Sequence, residues 1–409
     1  MTPVRKVLLV WLLALFTAAP LASLFRPVHA QGSLQISDPQ VDYLFGNFIA
    51  IEANLETPEA VEAIALFLQS EGASSTETIP VAIEENNRLF ALYDFAESRS
   101  LPAFSTIAFW FAATLENGQT LESEHFDFAY LDNRFEWQGI ENAPFRVQWY
   151  QGDIVFGQQI LDTARTAVEH IQEQISLETP GNVAVYVYAS GADLQQALQF
   201  TSQTWIAGHA DPDLGVMLVS ILPGPEQSLE MERQIPHELA HIMIFETIGA
   251  DGYAQIPLWL NEGLASLAEL YPNPDYRQSL ERASAGGGLI PLANLCESFP
   301  TDASGASLAY AESESFTRYL YEEHGASGLL DLLNHYAAGQ GCDNGPQAVL
   351  GATLTQLERD WRATTFSESS AAGALQALLP WFVLMAVVVG SPVFLALLKS
   401  REKKAEPDE

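Results

Sequence analysis

Residues 236–242 read Pro-His-Glu-Leu-Ala-His-Ile, inside an apolar pattern of helical spacing that covers 229–245. On a helix, side chains four positions apart lie one above the other, so the imidazoles of His237 and His241 can reach one metal ion. Glu238 follows the first histidine and can face a water molecule bound to that ion. The stretch therefore predicts a metal site on a helix, with a carboxylate base beside it.

A catalytic zinc site needs a third protein ligand and one open position for water. Residues 257–265 read Pro-Leu-Trp-Leu-Asn-Glu-Gly-Leu-Ala and predict a second helix after a stop signal at Gly249. Glu262 follows His241 after 20 intervening residues. That length lets the first helix end, a loop form and the second helix bring its carboxylate back to the histidines.

The two segments together resemble the signature of the gluzincin metallopeptidases, most closely the bacterial peptidase-MA-like group, over about residues 145–362. The resemblance implies an α+β domain in which zinc is bound by His237, His241 and Glu262. It also implies that Glu238 is the general base for attack of a zinc-activated water on a peptide bond.

The resemblance extends to positions around these ligands. Asn261, directly before the ligand glutamate, is expected to orient a zinc-bound histidine. Relatives supply an oxyanion donor from a downstream helix, and Tyr310 is the first choice here. The alternatives are a packing role for Tyr310, or His324 or His335 as the donor. Residues 215–222 are expected to form the strand at the edge of the cleft.

Ser266 stands where thermolysin-like sequences have Asp, so the partner of His237 stays unassigned. Glu269 is expected on a solvated helix face rather than as that partner. His209 is expected to be a solvated histidine on a turn. Cys296 and Cys342 are an even pair outside the cytoplasm, which predicts one disulfide, with two free buried thiols as the alternative.

The N-terminal part reads as all-β. Short alternating runs separated by turn signals, of which Asn117-Gly118 is the strongest, predict about seven strands over 31–137. This pattern is typical of an immunoglobulin- or fibronectin-like sandwich. The expected order is then the sandwich followed by a gluzincin-like α+β domain over 143–366.

The ends of the chain predict targeting and anchoring. Residues 1–30 have the charged start, apolar middle and small-residue end of a signal peptide. Residues 374–398 are apolar and long enough for one transmembrane helix, preceded by a short stalk (367–373) and followed by a basic cytoplasmic tail (399–409). The expected location is the cell membrane, single-pass, with the N-terminal domains outside. The absence of an Asn-x-Ser/Thr sequon favours a bacterial origin.

The chain holds 18 Lys and Arg against 52 Asp and Glu, a formal net charge of −34. Such a surface argues against nucleic-acid binding, which needs cations to displace counterions from phosphates. The sequence thus predicts a membrane-anchored extracytoplasmic zinc peptidase that acts on peptides or proteins. Two alternatives stay open: a catalytically silent binding or adhesion protein on a peptidase-like scaffold, and a zinc hydrolase of a non-peptide amide or ester.

Overall fold

The structure is a computed structural model, and it describes residues 33–56, 60–73, 75–96, 101–198, 208–366, 378–385 and 388. The chain divides into two compact units. The first comprises Met1–Arg99 and Thr106–Tyr130, and the second comprises Ser100–Ser105 and Leu131–Glu409. The first unit is built of strands, and the second combines a sheet with helices.

The strands of the first unit pair into one sheet. They are β1 (Ile36–Leu44), β2 (Phe48–Leu55), β3 (Val61–Ser70), β4 (Glu77–Ile83), β5 (Arg88–Asp94), β6 (Ser105–Leu115), β7 (Thr120–Glu122) and β8 (Phe126–Tyr130). Their order is β1-β2-β5-β4-β3-β6-β7, with β8 also paired to β6. Alternate residues of β6 are buried, as the alternating sequence requires of a strand with one face inside.

The predicted immunoglobulin- or fibronectin-like sandwich is wrong, because the strands form one barrel-like sheet instead of two separate ones. Residues 77–80 of β4 pair with β3, and residues 81–83 pair with β5, so the hydrogen bonding passes through β4 without a break. The two ends of the sheet are joined as well, since the N–H of Leu34 donates to the carbonyl of Glu122 (2.9 Å). Alternation specifies which face a residue takes, and it leaves the neighbouring strand open.

The second unit has a five-stranded sheet. Its strands are β9 (Gln138–Asn142), β10 (Phe145–Trp149), β11 (Val183–Tyr188), β12 (Gly208–Asp211) and β13 (Val216–Ser220). The order is β12-β13-β11-β10-β9, with β10, β11 and β13 parallel and the two edge strands antiparallel to their neighbours. All six residues of β11 are buried, as expected for a central strand covered on both faces. The expectation that 215–222 form the edge is wrong, because β12 lies outside β13.

The helices of the second unit follow and separate these strands. They are α1 (Ile154–Gln174), α2 (Gly191–Leu198), α3 (Gln227–Tyr253), α4 (Leu258–Leu267), α5 (Asp275–Gly286), α6 (Ala303–Ala337), α7 (Gly345–Leu350) and a helix over 354–366. Helix α3 breaks at Gly249, which has φ of 72°, at the stop signal of the sequence. The largest buried side chains of this unit include Trp149, Trp259 and Trp361, which lie in one continuous core.

Two features fix helix α4 in place. A Cβ at Gly263 would collide with Oγ1 of Thr317 and the carbonyl of Ser313, so the lack of a side chain lets α4 pack closely on α6. The structure also contains a disulfide between Cys296 and Cys342. The N–H of Leu258, the first residue of α4, donates to the carbonyl of Cys296 (2.8 Å). Closing this 46-residue loop stabilises the fold by about 4 kcal/mol on the chain-entropy model.

The predicted transmembrane helix over 374–398 is a second correction. Among the residues that the structure describes, we find no helix with the length and apolar character needed to cross a bilayer. The same finding overturns the predicted single-pass location. Of this range, 378–385 and 388 are described and helical. The predicted signal peptide (1–30), stalk (367–373) and tail (399–409) lie outside the described residues.

Candidate active site

Helix α3 presents His237 and His241 on one face, with ring centroids 5.2 Å apart. Their Nε2 atoms lie 3.3 Å and 3.6 Å from the same oxygen, Oε2 of Glu262. Glu262 is the fifth residue of α4, and the loop between the two helices returns it to α3 as the chain length suggested. One donor atom from each of the three residues lies within 4.8 Å of the others.

These three residues fit a divalent metal ion. Oε2 of Glu262 is buried and has no hydrogen-bond partner among the described residues. Burying a carboxylate oxygen in this way costs folding free energy unless a cation binds to it. Two imidazole nitrogens and one carboxylate oxygen form the donor set of a catalytic zinc site, which leaves a fourth position open. The arrangement therefore suits Zn²⁺ by the chemistry of its donors.

Each histidine is held from behind through its other ring nitrogen. Nδ1 of His237 lies 3.1 Å from Oε1 of Glu269, and Nδ1 of His241 lies 3.0 Å from Oδ1 of Asn261. Asn261 in turn donates from Nδ2 to the hydroxyl of Tyr253 (3.0 Å), which leaves its oxygen as the acceptor for the histidine. Because both oxygens accept, each Nδ1 keeps its proton, and Nε2 is the nitrogen that would bind a metal after giving up its own proton.

Glu269 was expected on a solvated face, yet only 3% of its side chain is exposed. Pro236 explains how this carboxylate is placed. Proline has no N–H, so the carbonyl of Glu232 lacks its helical partner. That carbonyl instead accepts from the N–H groups of Leu270 (2.9 Å) and Tyr271 (3.3 Å), the two residues after Glu269. The proline before the first histidine thereby attaches the end of α4 to α3.

The charges of the site favour a cation. Burial lowers the pKa of His237, but the adjoining carboxylates of Glu262 and Glu269 raise it by more, so its pKa lies well above the ordinary value. The pKa of His241 is raised too, since Glu262 outweighs the effect of burial. Burial raises the pKa of Glu262, and the two histidines lower it to about 2. The protein alone thus holds an ionised carboxylate and attracts positive charge to the point where the donors meet.

Glu238 lies beside the ligands and against the edge strand. Its side chain is buried, and burial raises its pKa above the ordinary value. A Cβ at Gly208, the first residue of β12, would collide with the Glu238 carboxylate, so only glycine allows this close approach. The next residue, His209, was expected on a solvated turn, but it is half-buried in β12. Burial lowers its pKa, with Asp211 opposing the effect.

A cleft of about 310 Å³ opens in front of this group. Its lining residues come from β12, from α3, from the end of α4 with the loop after it, and from α5 and α6. Tyr310 of α6 lines it, with its ring centroid 6.4 Å from that of His237. Burial raises the pKa of the Tyr310 hydroxyl, and the nearby Glu262 and Glu238 add to this. His324 and His335 are not among the lining residues described for this cleft.

Tyr276 is a lining residue that sequence reasoning did not single out. It belongs to α5, and its hydroxyl has a raised pKa because of burial and the neighbouring Glu269 and Glu262. It stands in Asn-Pro-Asp-Tyr, a sequence that signals a turn and a helix start but no chemistry. The chain fold alone brings this second tyrosine to the cleft.

Comparison with known proteins places the second unit in a family. Residues 163–367, half of the chain, match the Peptidase MA superfamily. The chain belongs to that superfamily and is built on a peptidase scaffold. A search of curated proteins gives no significant match.

Solved structures are similar at low identity. An aminopeptidase N family protein from Idiomarina loihiensis is 11% identical, covers 82% of this chain and 71% of its own, and has a TM-score of 0.32. A structure described as a myokine is 18% identical; the match covers 24% of this chain and 99% of the myokine chain, with a TM-score of 0.20. A polysaccharide deacetylase from Bacillus cereus is 9% identical; the match covers 50% of this chain and 66% of the deacetylase chain, with a TM-score of 0.20. TM-scores below 0.5 do not establish a shared fold.

Proposed function

We propose that this protein is a zinc-dependent peptidase. One observation carries the proposal: Nε2 of His237 and Nε2 of His241 converge on the buried, unpartnered Oε2 of Glu262, and each histidine is oriented through Nδ1. Membership of a peptidase superfamily supports the choice of peptide bonds as the substrate.

The ion would be held by His237, His241 and Glu262. Zn²⁺ at such a site acts as a Lewis acid that acidifies water and polarises a carbonyl. The residues of the chain then supply the rest. Glu238, buried beside the ligands, accepts a proton from the attacking water and returns it to the amine that leaves.

The remaining groups position substrate and charge. Strand β12 presents a backbone edge next to Glu238, against which an extended peptide can lie. Tyr310 also lines the cleft, and its hydroxyl donates a hydrogen bond to the developing oxyanion. Its raised pKa keeps that hydroxyl protonated over the whole physiological range.

The test uses the full chain, purified and supplemented with zinc. Metal content and cleavage of a quenched peptide library are measured for the unaltered protein and for Glu238→Gln. We expect about one zinc per chain in both, and at least a hundredfold loss of cleavage in the variant. Glu246→Gln is the matched control, because Glu246 is an exposed glutamate two turns further along α3.

Other outcomes decide between the alternatives. Zinc without cleavage in either protein would favour a binding role or a non-peptide substrate, which a panel of amide and ester substrates then separates. A protein that holds no metal after supplementation would contradict the proposal at its base.

A further inference from the structure

Arg233 lies in the cleft one helical turn before His237. Among the lining residues described for the cleft, it is the one side chain with a permanent positive charge. The charged lining residues near it are the carboxylates of Glu230, Glu238 and Glu269. Because the chain has only 18 Lys and Arg, an arginine in this cleft suggests that an anionic group binds there.

The guanidinium of Arg233 is poorly satisfied within the protein. Its Nη1 lies 3.4 Å from Oε1 of Glu230, which is long for a charge-assisted hydrogen bond. The other oxygen of Glu230 accepts from Nε2 of Gln234 (3.0 Å). Nε of Arg233 is buried and has no hydrogen-bond partner among the described residues. An arginine offers five N–H donors in a planar fork, so most of this capacity is unused.

The side chain is nevertheless held in one place. Its Cζ lies 5.7 Å from the ring centroid of Tyr271, a cation–π contact, and 23% of the side chain stays exposed. The main chain at Tyr271 is itself fixed, because its N–H and that of Leu270 donate to the carbonyl of Glu232. The guanidinium is therefore preorganised, and its free face opens towards the cleft.

We propose that Arg233 binds a carboxylate of the peptide substrate and makes the enzyme selective for peptides that carry one. Four helical residues rise about 6 Å, and an extended peptide rises about 3.3 Å per residue. The carboxylate then lies about two residues from the bond that is cut. Ala303, Ala306 and Ser307 also line the cleft, and their small side chains leave room for this carboxylate.

The carboxylate has two sources, an Asp or Glu side chain or the C-terminus of a short peptide. This inference rests on the proposed peptidase function. It does not rest on the long-range charge of the protein, which repels acidic peptides; the selectivity comes from the local fork of donors.

The experiment uses the full zinc-loaded chain and matched quenched peptides. In the first pair, one peptide has Glu and the other has Gln at the two positions on either side of the cleaved bond. In the second pair, one peptide ends in a free carboxylate and the other in an amide. We expect a preference for the acidic member of one pair of about 10- to 100-fold in kcat/KM. In Arg233→Gln this ratio falls to about one, mainly through KM, and Arg233→Lys keeps part of it. Arg277→Gln, the same charge change at an exposed position of α5, keeps all of it.

The pair that shows the preference identifies the source of the carboxylate. Equal rates within both pairs, or a preference that survives Arg233→Gln in a folded, zinc-loaded protein, would overturn the inference. Binding of the same peptides to Glu238→Gln, with and without Arg233→Gln, separates this result from the proposed function. Acid-selective binding that needs Arg233 supports the inference even if no peptide is cut, and binding without such selectivity contradicts it.

Discussion

Nδ1 of His237 lies 3.1 Å from Oε1 of Glu269, a carboxylate seven residues after Glu262 with only 3% of its side chain exposed. Helix α4 thus contains Glu262, the candidate metal ligand, and the chain just after this helix places Glu269 against the first histidine. A buried charge of this kind is stable only where a partner offsets its desolvation. Here the imidazole N–H is that partner.

We therefore expect Glu269→Gln to weaken zinc binding by about 10- to 100-fold, because the charge that holds the His237 tautomer is lost. Competition of the protein with a coloured zinc chelator measures this affinity. Glu281→Gln, at an exposed position of α5, is the matched control and leaves it unchanged. Equal affinities in the two variants would show that Glu269 has no such role.

Pro236→Ala tests how the end of α4 is attached to α3. The new N–H reaches the carbonyl of Glu232 and competes with the N–H groups of Leu270 and Tyr271. We expect faster hydrogen exchange at these two amides and zinc affinity reduced by up to about tenfold. Exchange in α6 serves as the internal reference. Unaltered exchange at Leu270 would mean that the proline does not control this contact.

Gly208→Ala places a methyl group against the Glu238 carboxylate. The three atoms nearest to the new methyl group all belong to Glu238, so we expect unchanged metal content while kcat falls by about 10- to 100-fold through displacement of the base. Gly224→Ala is the control, since a Cβ there meets no atom within 4 Å. If both variants cut peptides at the same rate, the close approach of β12 to the base does not matter for catalysis.

The two tyrosines of the cleft are separated by Tyr310→Phe and Tyr276→Phe. An oxyanion donor is worth about 10²- to 10³-fold in kcat, so we expect a loss of that size for Tyr310→Phe and a smaller one for Tyr276→Phe. Single-turnover rates on one peptide give the comparison. A reversed order would transfer the donor role to Tyr276.

Glu312 is expected to make the stability depend on pH. It is fully buried on α6, its Oε1 accepts from the N–H of Ile290 (2.8 Å), and its Oε2 has no partner among the described residues. Burial raises its pKa from 4.5 to about 7, against opposing effects of the Ile290 hydrogen bond and of Arg362. The folded state then binds more protons than the unfolded state between these values, so stability falls as the pH rises through this window.

Glu312→Gln removes this pH-dependent loss of stability, because Gln does not ionise. The variant and the unaltered protein should unfold at similar urea concentrations at pH 4.5 and diverge above it. At pH 8 the variant should be more stable by about 3 kcal/mol, the full value of the pKa shift. The exposed-site variant Glu281→Gln shows no such divergence. A constant difference across the pH range would mean that Glu312 titrates normally.

The candidate metal ligands could be read from residue order because their arrangement is local. The spacing of His237 and His241 on one helix, and a carboxylate at Glu262 on the next, are one-dimensional patterns with a direct geometric meaning. Helix α3 was also predicted, over 229–245, because a long periodic run specifies a helix strongly. The match to the Peptidase MA superfamily agrees with that reading.

The sequence by itself thus determined the spacing of the candidate metal ligands, the position of Glu238 beside them and membership of a peptidase superfamily. Only the tertiary structure decided which strands are neighbours in the first unit, that β12 forms the edge of the second sheet, and that Glu269, Tyr276 and Arg233 face the cleft. These facts depend on contacts between residues far apart in the chain or on strands too short to show a period. Strand neighbours and side-chain burial are set by packing between distant segments, so a local sequence pattern does not predict them.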